Sequence, residues 1–315
     1  MEQIFKVKKS EDRQRLDRFL YDHLGTWSHR HIKQALDSKN VFVNGQNIFI
    51  SSWNLRAGDK VRLLADNQPK NTRLIKSHYL QILLEDPYIL VVMKPAFVDY
   101  DTFVLHVGAY LKRQNKNAHD PYVGQVHRLD KETSGVMLFT KKKIANTLSD
   151  QFRERRVQKF YLGIVFGRIE TERGIIRNLI EKGKFEGGKK ARIVSDKKKE
   201  IGMEAHTEYE VLERYEKATL IRFSIKTGRT HQIRIHMANL GYPLLGDKIY
   251  GQEILNASCK PSSSKKLIKP LINRQALHAW RIDFAHPVSG KKISMEAPIP
   301  KDMQECIDRL RDGQS

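Results

Sequence analysis

Two periods of apolar residues alternate along the chain, and each change of period marks an element. In "RLDRFLYDHL" (15–24) Leu16, Phe19, Leu20 and Leu24 recur at helical spacing. Ser28 then precedes "HRHIKQAL" and predicts an N-cap for a second helix, because its hydroxyl can accept from an amide that the first turn leaves unpaired. "VFVNGQNIFI" (41–50) switches to alternation. Its Asn44-Gly45 pair predicts a hairpin, since both turn residues need positive φ. "RAGDKVRLL" (56–64) adds a turn and a strand, which completes an ααβ module over residues 1–65. The polar stretch "DNQPKNTRLIKSHY" (66–79) reads as a linker.

Beyond it the pattern is richer in strands. "ILVVMKP" (89–95) is an apolar, β-branched run stopped by Pro95, so a buried strand, and "GVMLFTK" (135–141) is another. "KKIANTLSDQFRERRV" (142–157) carries Ile144, Leu148 and Phe152 at four-residue spacing, which predicts an amphipathic helix with a basic outer face. "FYLGIVFGRI" (160–169) and "HTEYEVLERYEKATLIRFSIKTGR" (206–229) read as strands. In "THQIRIHMANLG" (230–241) a stripe of Ile233, Met237 and Leu240 predicts a helix, with Thr230 capping its start and Gly241 its end. The Lys- and Gly-rich segment 181–202 and the Ser-, Pro- and Lys-rich segment 259–270 read as loops. Solvated surface and the flank of a nucleic-acid groove both fit them. The class expected is α+β: the small ααβ module, then a mixed β-rich body with flanking helices over residues 80–315.

Charge narrows the function. Lys and Arg number 57 against 36 acids, a formal net charge of +21, which exceeds what solubility requires and points to a polyanionic partner, nucleic acid first. No apolar run approaches the roughly 20 residues that span a bilayer, and the N-terminus lacks the apolar core of a secretory signal. Cys259 and Cys306 have no CxxC spacing, so neither a zinc site nor a disulfide framework is expected, and a reducing cytoplasm is the expected compartment. HExxH, the G-x-x-x-x-G-K-[ST] phosphate loop and the G-x-S-x-G elbow are all missing, so a metal site, ATP-driven chemistry and a serine hydrolase are not expected.

One carboxylate stands out. In "VHRLDKETSGVMLF" (126–139) Asp130 lies between Arg128 and Lys131 and precedes the small residues Thr133, Ser134 and Gly135. A carboxylate beside a guanidinium stays ionised, which makes it a poor general acid and a competent nucleophile, proton acceptor or electrostatic anchor. Glu132 is the nearest second acid, and Gly135 breaks the regular strand it would need to share a face with Asp130. On spacing alone, a single catalytic carboxylate and a structural ion pair with Arg128 fit equally well.

"HRLDKETSG" (127–135) resembles the motif of the RluA family of pseudouridine synthases, whose Asp is catalytic. "QKFYLGIVFG" (158–167), "KTGRTHQIRIHMANLGYPLLGDKIYG" (226–251) and "ALHAWRIDFAHPVSGKKISMEAPIP" (276–300) resemble the family's further blocks in the expected order. The resemblance implies the pseudouridine synthase fold, a mainly antiparallel sheet with flanking helices. It also implies a cofactor-free isomerisation of uridine in RNA: the ribose–uracil bond is cut, the base turns, and it rejoins through a ring carbon. Asp130 would attack or deprotonate the nucleoside, and the pattern does not decide which. Arg234 would pair with Asp130, Tyr161 would stack on the displaced uracil and assist proton transfer, and Arg128 would fill the gap left by the flipped nucleotide. Arg229 would contact phosphate or hold its turn. His231 and His236 are given no chemistry.

Residues 1–65 resemble the S-four-type RNA-binding domain through Arg15-Leu16-Asp17, Ser28, Arg30, Val43-Asn44-Gly45 and Gly58-Asp59. This places Arg30, His31 and Lys33 at a helix start where phosphate would dock. The resemblance implies large-subunit ribosomal RNA as substrate, with transfer RNA second, and nothing in the sequence demands more than a monomer. The competing readings are a non-catalytic RNA-binding or ribosome-assembly protein and a metal-free hydrolase that would release uracil. One stretch departs from the family: after "VVMKPA" a glycine and a short Val-His-Pro run are usual, and here "FVDYDTFVLHVGAY" (97–110) follows.

Overall fold

A computed structural model describes residues 2–24, 27, 32–33, 35–36, 40–48, 50–64, 80–114, 121–142, 146–183, 191–194, 201–251 and 271–313. Backbone contacts divide the chain into two units, residues 1–79 with 101–113, and residues 80–100 with 114–315.

The first unit is built on a four-stranded antiparallel sheet of β1 (Glu2–Lys6), β2 (Val41–Val43), β3 (Gln46–Asn47) and β4 (Lys60–Leu64), in the order β1-β4-β2-β3. The hairpin forms where Asn44-Gly45 predicts it, with φ of 50° and 84°. Asn44 also ties the turn to its neighbour, donating to Asp59 and accepting from the Lys60 amide. Helix α1 (Leu16–Leu24) buries Leu16, Phe19 and Leu20 against Ile32, Leu36, Val41, Leu55, Val61 and Leu63. Each such side chain contributes about 1.5–3 kcal/mol relative to exposure. Strand β1 was not expected from the pattern; it is an edge strand whose register is set by β4. Residues 32, 33, 35 and 36 are helical, and Lys33 is exposed. Ser28, Arg30 and His31 lie outside the described residues, as does the expected linker 66–79. The family's glycine-containing stretch is replaced by a second helix, α2 (Tyr100–Gln114), whose residues 101–113 belong to this unit.

The second unit holds an eleven-stranded sheet. Its strands are β5 (Gln81–Glu85), β6 (Ile89–Lys94), β7 (Gly124–Gln125), β8 (Ser134–Thr140), β9 (Gln158–Phe166), β10 (Arg173–Lys182), β11 (Ala191–Val194), β12 (Met203–Arg214), β13 (Ala218–Ile225), β14 (Leu277–Ala285) and β15 (Lys292–Glu296). The main path runs β11-β10-β12-β13-β9-β14-β8-β6-β5, with β15 on β14 and β7 on β8. Every pairing is antiparallel except β14 with β8. The expected strands 89–95 and 135–141 are β6 and β8. All seven residues of β8 are buried, which is why its sequence shows no alternation. At Gly135 φ is +126°, and a Cβ there would meet the Ala279 carbonyl oxygen at 2.2 Å, so the parallel pair β8–β14 requires glycine.

Three helices flank this sheet. Helix α3 (Asn146–Arg153) buries Leu148, and the Gln151 amide pairs both ways with the Ala285 backbone at 2.8 and 2.9 Å. Helix α5 (Lys301–Arg311) lays Met303, Cys306, Ile307 and Leu310 against Leu162, Ile164 and Leu220. Helix α4 (Gln232–Asn239) corrects the sequence reading. Its N-cap is His231, in the left-handed region at φ 55°, and no side chain caps it, so Thr230 does not have the role expected of it. Residues 232–237 are all buried, whereas Leu240 is 42% exposed, because the helix is enclosed and its burial does not follow one stripe. The segment 181–202, expected as loop, contains the end of β10 and all of β11; cross-strand pairing overrides its Lys and Gly content.

Candidate active site

The turn carrying Asp130 is short and pinned at both ends. The Thr133 amide donates to the Asp130 carbonyl at 3.1 Å. Upstream, His127 Nε2 accepts the Leu138 amide at 2.9 Å, and its ring stacks on Phe152 with centroids 5.2 Å apart. Burial lowers the His127 pKa to about 3, which keeps the ring neutral and able to accept. Downstream, Ser134 Oγ lies 2.9 Å from His278 Nδ1. Because His278 Nε2 faces the Ala297 carbonyl, that nitrogen carries the proton, and Ser134 donates to Nδ1.

Across the cleft, α4 presents Arg234, whose side chain is only 4% exposed. Its Nε and Nη2 grip Asp247 at 2.7 and 2.9 Å. The remaining nitrogen, Nη1, reaches Asp130 Oδ2 at 3.4 Å. Asp247 is itself buried and accepts the Ile249 and Tyr250 amides at 2.9 and 3.2 Å. Burial alone would raise its pKa; Arg234 and the two amides outweigh that and hold it below the usual carboxylate range. Arg234 is thereby fixed in one orientation and aimed at Asp130. Its guanidinium also lies over the Tyr250 ring, 5.1 Å from the centroid. His231 closes the group: Nδ1 is 2.9 Å from Tyr250 Oη, and Nε2 is 3.8 Å from Asp130 Oδ2.

Tyr161, from β9, lines the same cleft and is 8% exposed. Burial first, then the Asp130 charge, pushes its pKa up, so the hydroxyl stays protonated at working pH. That favours a role as a wall for a base or a proton donor over one as a base. Arg128 stands exposed at the rim, over the Tyr100 ring at 5.1 Å. Among the described residues no ion pair joins it to Asp130; the guanidinium on Asp130 is that of Arg234. Arg229 lines the cleft too, but its Nε donates to the Glu204 carbonyl at 2.9 Å, so it braces its own turn against β12. The cleft is open to solvent and takes its polar lining from these groups.

The sequence reading missed three charged residues here. Asp247 lies in "LLGDKIYG", where nothing in the periodicity sets it apart. Lys94 ends an apolar strand and is fully buried, with its ammonium on the carbonyls of Pro95, Val98 and Lys131 at 2.9, 2.9 and 3.1 Å. Burial lowers its pKa to about 7 against the opposing pull of Asp130. Arg274 is likewise fully buried. A charge closing an apolar run was a readable signal for Lys94; Arg274 offered none.

The family description RNA pseudouridylate synthase matches residues 88–239, which contain Asp130, Tyr161 and Arg234. The chain is 32% identical to a ribosomal large subunit pseudouridine synthase D of Nitrosomonas europaea, over 94% of this chain and 84% of that protein. It is 33% identical to the protein of that name from Vibrio parahaemolyticus, over 97% and 93% of the two chains. An uncharacterized RNA pseudouridine synthase of Aquifex aeolicus is 34% identical over 98% and 96%. Among solved structures, human RNA pseudouridylate synthase domain containing 4 shares the fold at TM-score 0.61 and 23% identity, over 76% of this chain and 96% of that one. With the fold, the ordered blocks and these full-length likenesses in agreement, the chain belongs to the RluA family of RNA pseudouridine synthases.

Proposed function

We propose that this isomerase converts uridine to pseudouridine in large-subunit ribosomal RNA, ahead of transfer RNA, with Asp130 as the catalytic carboxylate. The observation that carries the site is the pairing of Asp130 with Arg234 at 3.4 Å in a cleft that also holds Tyr161. The ribosomal substrate rests on the names of the full-length relatives.

The geometry supports a division of labour. Flipping the target costs a few kcal/mol, and Arg128 at the rim can occupy the vacated stack. Tyr161 forms the wall on which the extruded uracil lies. Asp130, kept in place by Arg234, meets the sugar, and the N1–C1′ bond breaks. The cleft confines the freed uracil while it turns and its C5 bonds to C1′. The hydrogen on C5 is then lost as a proton and N1 takes one up in its place, so atoms and charge balance. No step needs an external energy source.

Residues 1–65, joined through 66–79 to the catalytic portion 80–315, act as an S-four-type RNA-binding module, with Arg30, His31 and Lys33 on phosphate. The enzyme works as a monomer in the cytoplasm. The test is a pseudouridine map of ribosomal and transfer RNA from cells with and without the gene, and from cells carrying Asp130→Asn. Specific large-subunit sites should vanish in both. Sites lost from transfer RNA alone would replace the substrate, and full modification by Asp130→Asn would remove Asp130 from the chemistry.

A further inference from the structure

Several polar contacts converge on the turn that carries Asp130, and most come from one short segment far away in sequence. Arg274 Nη1 donates to the Glu132 carbonyl at 3.1 Å, and Gln275 Nε2 to Thr133 Oγ1 at 3.2 Å. His278 takes the Ser134 hydroxyl, and the Ala279 backbone fills the space left by Gly135. The same segment touches a second turn. The Ala276 amide donates to the Leu245 carbonyl at 2.8 Å, and Gly246, at φ +71°, lies so close to the Arg274 carbonyl that a Cβ would meet it at 2.1 Å. That second turn ends in Asp247, which orients Arg234. Residues 274–279 therefore stand between the support of the carboxylate and the support of its guanidinium partner.

Arg274 is the charged centre of this segment and is inaccessible to solvent. Burying a guanidinium is costly unless it is paired and fully hydrogen-bonded, and an apolar side chain could fill the same space. Here every nitrogen is used. Nε and Nη2 hold Asp302, in the first turn of α5, at 2.6 and 3.0 Å. Nη1 gathers three carbonyls, those of Glu132, Gln275 and Leu277. The rigid fork of an arginine suits this arrangement of acceptors.

We infer that Arg274, anchored by Asp302, is a positioning residue that sets the register of the Asp130 turn against Arg234. It does not line the cleft or meet substrate. The inference rests on Asp130 being the reacting carboxylate. Disturbing Arg274 should therefore slow the chemical step and leave RNA affinity alone.

The experiment uses the full-length enzyme and in vitro transcribed large-subunit ribosomal RNA labelled with tritium at uridine C5. Single-turnover tritium release at saturating enzyme reports chemistry, and filter binding reports affinity. Arg274→Met should lower the release rate by about 100-fold, the scale of a misplacement near 1 Å, with RNA affinity unchanged. Arg274→Lys should recover part of that loss. Asp302→Asn, at a residue 44% exposed and outside the cleft, should fall between wild type and Arg274→Met. A folded Arg274→Met that releases tritium at the wild-type rate, or that loses rate and affinity together, overturns the inference. If Arg274→Met does not fold, Asp302→Asn decides, and a wild-type rate there overturns it equally. Asp130→Asn runs alongside. Wild-type release by that variant sinks the reading of the site and this inference with it, whereas loss in Asp130→Asn beside full activity in Arg274→Met sinks this inference alone. If wild-type enzyme is silent on this RNA, the substrate reading fails, and the same series is read on transfer RNA.

Discussion

Asp247 acts on Asp130 through Arg234. It meets Arg234 with two bonds and fixes which nitrogen is left over for Asp130. Asp247→Ala leaves a buried guanidinium without its partner, which should cost about 3–5 kcal/mol of stability and displace Arg234 from the cleft. Denaturant unfolding and tritium release should both register it; a loss of activity without a loss of stability would show the pair is not the anchor. Phe97 carries a different kind of constraint. It stands where the family pattern has glycine and keeps a left-handed backbone at φ 65°, with the residue 52% exposed. A non-glycine residue pays about 1–2 kcal/mol for that conformation. Phe97→Gly should therefore raise the thermal midpoint, and a fall would mean the ring makes packing contacts worth more than the strain it bears.

At the scale of elements, the site depends on the parallel contact of β8 with β14. Their backbones approach so closely at Gly135 that Gly135→Ala should destabilise the protein by at least about 3 kcal/mol, since both a clash and a positive φ oppose it. Circular dichroism melting checks this, and a midpoint unchanged by the alanine would contradict the approach. Helix α4 carries the other half of the site, and the burial of its residues 232–237 holds Arg234 without a side-chain cap. The N-terminal module makes a separate prediction. Removing residues 1–65 should weaken RNA binding more than it slows the chemical step on a short RNA. Equal losses in both would make the module part of the active site.

For the molecule as a whole, charge and burial govern the response to solution conditions. With a net charge of +21, RNA affinity should fall steeply with ionic strength as phosphate counterions compete, and a flat salt titration would contradict a backbone-contacting footprint. Acid acts through buried histidines. Burial holds His127 at about 3 and both His236 and His278 at about 4, below the ordinary 6.5. The unfolded chain takes up those protons first, so stability is full above 6.5 and is lost as pH falls toward 4. His278 alone accounts for roughly 3 kcal/mol of this. The thermal midpoint should drop across that window in wild type and drop less in His278→Gln. The α+β class, the hairpin at Asn44-Gly45 and the buried strands at 89–94 and 134–140 were legible in the sequence, and the ordered motifs named Asp130, Tyr161 and Arg234, which line one cleft in the fold. Local period, turn chemistry and ordered motifs are short-range properties, and the chain states them directly. The pairing of Asp130 with Arg234, which the resemblance implies, is present in the fold at 3.4 Å; tertiary structure alone decided that Asp247 stands behind Arg234, and that Lys94 and Arg274 hold the carbonyls of the Asp130 turn. These are contacts between segments 13 to 142 residues apart, and a buried charge takes its meaning from the partners that folding brings to it.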